Sequence, residues 1–211
     1  MDALTFELSR SQQAVFTMEA FHLSGRPFFL GGVARLSGQV SLESLARAGA
    51  AVRDAQDAFR IGFVADGEGA AWHGVRHARP QSAVESMDFS RHPDPEQAFA
   101  GWARRQLLLD EDLAQTPIKI FAVRFDPERS GWFVKAHHAA ADGAALALVM
   151  EHLANALEDG GRAPAPLASP AFSVIADGER AYEDSRRRER DGEYWRGAFA
   201  ETAPPASRRS P

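Results

Sequence analysis

Two apolar segments, Ile118 to Phe125 and Trp132 to His138, limit what this chain can fold into more than any other feature. Rich in β-branched and aromatic residues, both read as strands. The polar loop Asp126-Pro127-Glu128-Arg129-Ser130-Gly131 between them suits an antiparallel pair. A helix follows, because Leu146, Val149, Met150 and Leu153 recur at helical spacing from Gly143 to about Leu157, where Gly160-Gly161 stop it. Between the second strand and that helix stands His137-His138-Ala139-Ala140-Ala141-Asp142-Gly143. Neighbouring side chains on a strand point to opposite faces, so the two imidazoles cannot share one job. His138 is in phase with Ala136, Val134 and Trp132, whereas His137 follows Lys135 and Phe133. One ring is therefore structural and the other presented, and the pattern alone leaves open which.

The rest of the chain alternates helix and strand signals. Ser9 or Ser11 can cap a helix running to about Leu23, ended by Gly25 and Pro27. Phe28 to Leu36 reads as a strand, and Ser41 caps a second helix ending near Gln56. Two short strands, Phe59 to Val64 and Ala71 to His77, form a hairpin across Asp66-Gly67-Glu68-Gly69. Asp94 caps a third helix, with Pro95 in its first turn, that runs to about Leu109. Pro164, Pro166 and Pro170 mark a linker over 160–170, before a charge-rich helix from about Ala171 to Phe199. The arginines 186, 187, 188 and 190 are flanked by acids and read as a solvated helix face. Residues 201–211, with their prolines and paired arginines, are expected to be disordered. The fold class is α+β: a mixed, mostly antiparallel sheet flanked by helices, in one domain over 1–200.

Bulk properties remove several functions. At 211 residues the chain can bury a core of ordinary size. Its 24 basic against 29 acidic residues create no positive field for nucleic acid or an anionic membrane. The lack of cysteine excludes disulfides, thiolate catalysis and cysteine-based metal sites. The segment Met1 to Glu7 has no basic leader, and no run approaches the ~18 apolar residues of a membrane span, so cytoplasmic residence is expected. There is no G-x-S-x-G elbow, P-loop or G-x-G-x-x-G cradle. His137, His138 and Asp142 are metal-ligand types, but opposed strand side chains argue against chelation by the adjacent pair. No second cluster stands around His22, His73, His77, His92 or His152.

The seven residues from His137 to Gly143 resemble the HHxxxDG signature of nonribosomal peptide synthetase condensation domains, which share the chloramphenicol acetyltransferase-like fold. Leu8-Ser9-Arg10-Ser11-Gln12-Gln13-Ala14-Val15-Phe16 looks like that family's opening motif, a Ser followed by Gln on the first helix. Asp57-Ala58-Phe59-Arg60-Ile61-Gly62-Phe63 resembles its second motif, although Ala55-Gln56 stand where members commonly carry Arg-His. Glu193-Tyr194-Trp195 looks like the aromatic pair that closes the helix leaving the first lobe. These matches keep the family's order. They cover essentially the whole chain but only about half of the family's two-lobed unit, which implies an N-terminal lobe with the C-terminal lobe absent or supplied by a second chain.

The resemblance implies roles. His138 would face the reaction tunnel, where an imidazole of pKa about 6.5 can accept a proton at cellular pH. His137 would pack. Asp142 would pair with Arg60 and brace the loop that aims His138, while also serving as a helix N-cap. Gly143 would supply backbone freedom or close approach, its N–H facing a developing oxyanion. The family uses no cofactor of its own: substrates arrive as thioesters on the phosphopantetheine of peptidyl or aryl carrier proteins. The implied reaction is amide formation in nonribosomal peptide assembly. The stretches Gln56 to Phe63 and Asp88 to Ala100 look closest to siderophore synthetases. Two alternatives stand beside it, a carrier- or coenzyme A-dependent O-acyltransferase and a non-catalytic lobe that binds a carrier.

Overall fold

The computed structural model describes residues 4–21, 28–67, 71–162 and 172–200. Its centre is the expected antiparallel pair, β6 (Ile118–Asp126) and β7 (Arg129–His137), with Ile118 opposite Ala136 and Phe121 opposite Phe133. Strand β2 (Phe29–Ser37) pairs antiparallel with β7, placing Phe29 opposite His137. Strand β5 (Glu85–Asp88) adds parallel to β6, giving the order β2-β7-β6-β5. A second, antiparallel sheet has the order β1-β4-β3, from β1 (Leu4–Glu7), β3 (Ile61–Ala65) and β4 (Trp72–Arg76).

Both faces of the central pair are buried, so alternation sorts its residues into two cores rather than into core and solvent. Trp132, Val134 and Ala136, with Ile118, Ile120 and Ala122, pack against Leu45 and Val52 of α2 (Leu42–Ala55) and Leu146 and Leu153 of α4 (Gly143–Glu158). Phe121, Val123, Phe125 and Phe133 point the other way, onto Phe99 and Trp102 of α3 (Pro95–Gln106). The buried indole N–H of Trp132 is satisfied by the Leu45 carbonyl at 3.0 Å, so the ring contributes its area with no orphaned donor.

Local chemistry sets the helix starts. Ser9 caps α1 (Arg10–Ala20) in a reciprocal box with Gln12, Ser41 caps α2, and Asp94 caps α3 with Pro95 in the first turn. A Cβ on Gly62 would strike the Ala114 carbonyl, so its absence lets the segment before β6 lie against β3. There the Phe63 N–H reaches the Leu113 carbonyl at 2.8 Å.

Several readings change. Arg129, Ser130 and Gly131, read as loop, begin β7 because they pair with Asp126, Arg124 and Val123 of β6, and His138, read as the last strand residue, falls in the turn after it. Phe59 and Arg60 fall in a 3-10 turn, Asp57–Arg60, ahead of β3 rather than in the strand. The last helix is two, α5 (Phe172–Glu183) and α6 (Arg186–Ala198), because Ser185 turns extended and its Oγ accepts the Arg188 N–H, capping the second. Strands β1 and β5 were not foreseen. The stop at Gly25 and Pro27, most of the 160–170 linker and the 201–211 tail lie outside the described residues. No helix among the described residues is long and apolar enough to cross a membrane.

Candidate active site at the end of β7

The two histidines part at the end of β7. His137 is fully buried. Its ring stacks 5.4 Å from Phe16 and meets the edge of Phe29 at 5.1 Å. Nδ1 accepts the N–H of Ala139 at 3.3 Å, so the ring proton sits on Nε2, which faces Oε2 of Glu19 at 3.2 Å. Burial pushes the His137 pKa below its ordinary value, and the Glu19 carboxylate opposes that only in part.

His138 is exposed, and its side chain makes no hydrogen bond or ion pair among the described residues. Only its backbone is tied down, the N–H donating to the Phe28 carbonyl at 2.8 Å. The following loop is held closely. Gln12 donates Nε2–H to the Ala139 carbonyl at 3.0 Å, and the N–H groups of Ala140 and Ala141 return to the His137 carbonyl at 2.8 and 3.2 Å. An exposed imidazole is thus presented on a fixed loop, where its ring nitrogens are open to a group brought to that face.

Asp142 caps α4, its Oδ1 accepting the Ala145 N–H at 2.8 Å. The expected ion pair with Arg60 is not formed. Arg60 turns back onto the end of α2, donating Nη2–H to the Asp54 carbonyl at 2.5 Å, where the negative end of the helix dipole favours a cation. Its Nε is buried without a partner. Asp57 is held by Arg76, at 3.0 Å to Nε and 2.6 Å to Nη2. Gly143 opens α4 with no positive φ, and a Cβ there would meet nothing within 4 Å, so neither backbone freedom nor packing within the chain demands glycine.

Sequence reasoning missed three supports. Gln12 and Glu19 bind the histidine loop from α1, 127 and 118 residues away in sequence. Lys135, only 1% exposed, donates Nζ–H to Glu111 at 2.9 Å and to the Leu109 carbonyl at 3.0 Å, and lies 4.0 Å over the Phe29 ring. Glu111 also takes Lys119 at 2.7 Å. Burial pushes the Glu111 pKa up, but these two ammonium groups together hold it below its usual value. Lys135 is shifted down, burial outweighing the same carboxylate. A charge inside an otherwise apolar strand was the available signal. Among the described residues, no group of three or more His, Asp or Glu side chains is placed to hold a metal ion.

Comparison with known proteins decides the family, since the condensation-domain family model matches residues 3–210. The chain belongs to the condensation-domain family. It is 33% identical over 157 residues to an isonitrile lipopeptide synthase of Streptomyces coeruleorubidus, covering 71% of this chain and 10% of that protein. It is 27% identical over 177 residues to the enterobactin synthase component F of Escherichia coli O157:H7, covering 82% of this chain and 14% of that protein. The fold matches a variant of the starter condensation domain of rhizomide synthetase, in complex with C8-CoA and Leu-SNAC, with a TM-score of 0.81 at 21% identity. That match covers 98% of this chain and 48% of the other, so this condensation-domain chain spans about half of the solved domain and a small fraction of the two synthases. The mixed sheets and flanking helices are therefore those of the condensation-domain fold.

Proposed function

We propose that this chain supplies the histidine-bearing half of a condensation domain, forming an amide between a carrier-bound acyl thioester and a carrier-bound amine. The observation that carries the reading is the exposed His138 imidazole, without a side-chain partner among the described residues, on a loop pinned by Gln12 and by the buried His137. The amine nitrogen attacks the thioester carbonyl carbon, the C–S bond breaks, and the phosphopantetheine thiolate leaves. His138 accepts the proton that the amine loses and returns it to the thiolate, while holding the nitrogen in line. The chain's own residues require no cofactor for these steps. Likeness to the enterobactin and isonitrile lipopeptide synthases supports nonribosomal peptide assembly, siderophores included. Cytoplasmic residence is part of this proposal. The carriers would be peptidyl or aryl carrier proteins, with the rest of the cleft coming from a second lobe.

The test is the rate of amide formation on loaded carrier proteins, followed by intact-protein mass spectrometry in the two-lobed enzyme that contains this chain. His138→Ala should lower that rate roughly 10²- to 10⁴-fold, the range for a positioned acid or base, with carrier affinity unchanged. An unchanged rate sinks the catalytic reading and leaves a lobe that only binds carriers. Turnover with a hydroxyl acceptor but not with an amine would make the enzyme an O-acyltransferase.

A further inference from the structure

Glu19 lies at the end of α1, outside the motifs that mark the family, yet its carboxylate connects to both backbone amides that flank the His138 side chain. Oε1 accepts the Phe28 N–H at 3.1 Å, and the Phe28 carbonyl accepts the His138 N–H at 2.8 Å. Oε2 faces Nε2 of His137 at 3.2 Å, and Nδ1 of that ring accepts the Ala139 N–H at 3.3 Å. One route reaches the amide before the His138 α-carbon and the other the amide after it. Both begin at one side chain that is 24% exposed.

We propose that Glu19 is a positioning residue for His138, acting by fixing the tautomer of His137. An ionised carboxylate only accepts hydrogen bonds, and here its two oxygens face two donors, the Phe28 N–H and the His137 Nε2–H. Holding the proton on Nε2 leaves the Nδ1 lone pair free for the Ala139 N–H. The opposite tautomer would set an N–H against an N–H at Ala139 and release the loop on the far side of His138. The histidine next in sequence is thus a relay: Glu19 sets its proton, and the proton sets the backbone that carries the reactive ring. This assignment rests on the reading of His138 as the reacting imidazole.

The chemistry singles out a diagnostic substitution. Glu19→Gln preserves size and shape but replaces one acceptor oxygen by an NH2 donor, so while His137 keeps its proton on Nε2 the amide can satisfy either Phe28 or His137 and not both. If its NH2 faces His137, Nε2 must become the acceptor and the proton moves to Nδ1. If it faces Phe28, two donors oppose each other and the His138 N–H loses its anchor through the Phe28 carbonyl. Glu19→Asp keeps an acceptor-only group one methylene shorter and serves as the conservative control.

The test is nitrogen-15 NMR of the histidine side chains, with amide hydrogen exchange, on this chain and both variants. The native protein should show His137 protonated at Nε2. In Glu19→Gln, either His137 should shift to the Nδ1–H form with faster exchange at the Ala139 amide, or the His138 amide should exchange faster. Glu19→Asp should retain the native tautomer, and decides the question by that signature if the Gln variant does not fold. In the two-lobed enzyme, Glu19→Gln should lower kcat on the order of 10²-fold, the effect of a small misplacement, with little change in KM. An unaltered His137 tautomer together with unaltered exchange at His138 and Ala139 overturns the proposal. The expected NMR change in an enzyme indifferent to His138→Ala would instead overturn the catalytic reading while leaving the Glu19 relay in place.

Discussion

Gln12 donates Nε2–H to the carbonyl of Ala139 at 3.0 Å, so a side chain in the first turn of α1 holds the residue that follows His138. The other end of the same amide accepts the Ser9 N–H at 3.0 Å, completing the helix cap. Gln12 and Ala139 are both buried, so removing the amide leaves the Ala139 carbonyl unpaired away from water. Gln12→Ala should therefore lower stability by about 1–3 kcal/mol, read as a reduced urea midpoint at unchanged slope. A midpoint equal to that of the native protein would show that the amide holds nothing.

The adjacent histidines should respond oppositely to truncation. His137→Ala opens a cavity between Phe16 and Phe29 and removes a donor from Glu19, a loss of roughly 3 kcal/mol by analogy with other buried rings. His138→Ala removes an exposed ring with no side-chain partner among the described residues and should stay within about 0.5 kcal/mol of the native protein. Denaturant unfolding of the two variants checks this, and equal losses would place both rings in the core.

Acid should weaken the fold through Glu111. Its pKa lies below the ordinary value when folded, because Lys119 and Lys135 outweigh the effect of burial. Between the folded and unfolded pKa values the unfolded chain binds more protons. The stabilisation is thus complete above the unfolded value and is lost as pH falls through the folded one. Unfolding free energies measured from neutral pH into acid should show this loss, and Glu111→Gln should flatten that part of the slope. At neutral pH the same variant leaves the Lys135 charge without its carboxylate and should cost about 3–5 kcal/mol. An acid slope unchanged by Glu111→Gln would remove this residue from the account.

Much of this architecture was legible because it is set locally. The caps at Ser9, Ser41, Asp94 and Asp142 follow from side-chain oxygens next to apolar runs, and the β6–β7 pair from its residue types. That one of His137 and His138 is buried and the other exposed agrees with the alternation read at the strand end, although β7 stops at His137 and His138 opens the turn. Strands β1 and β5 escaped notice because four residues carry almost no period, and their strand character comes from β4 and β6 beside them. The break before α6 turns on one Ser in a charged stretch. The partners of Arg60, Lys135 and His137 are facts of tertiary distance. The sequence around Lys135 announces that a buried charge needs a partner, but nothing in it points to Glu111.

The Arg60 and Asp142 side chains should prove energetically independent. Asp142 caps α4 and Arg60 binds the end of α2, so Asp142→Ala should cost about 1 kcal/mol through the lost cap. In a double-mutant cycle with Arg60→Ala, the interaction energy should fall below about 0.5 kcal/mol. A coupling of several kcal/mol would restore the ion pair that the family resemblance implies.

Gly143 separates a demand of the fold from a demand of the reaction. Its backbone is not left-handed and a Cβ would point into open space, while the residue begins a helix. Gly143→Ala should thus leave stability unchanged or raise it by about 0.4–1 kcal/mol, since alanine loses less backbone freedom on folding. If glycine is there for close approach of a substrate, the same variant should slow the proposed amide formation, measured with a second lobe present, despite its undiminished melting temperature. Both quantities are needed: a fall in melting temperature would trace the requirement to the fold, and a native rate would free position 143 from any part in the chemistry.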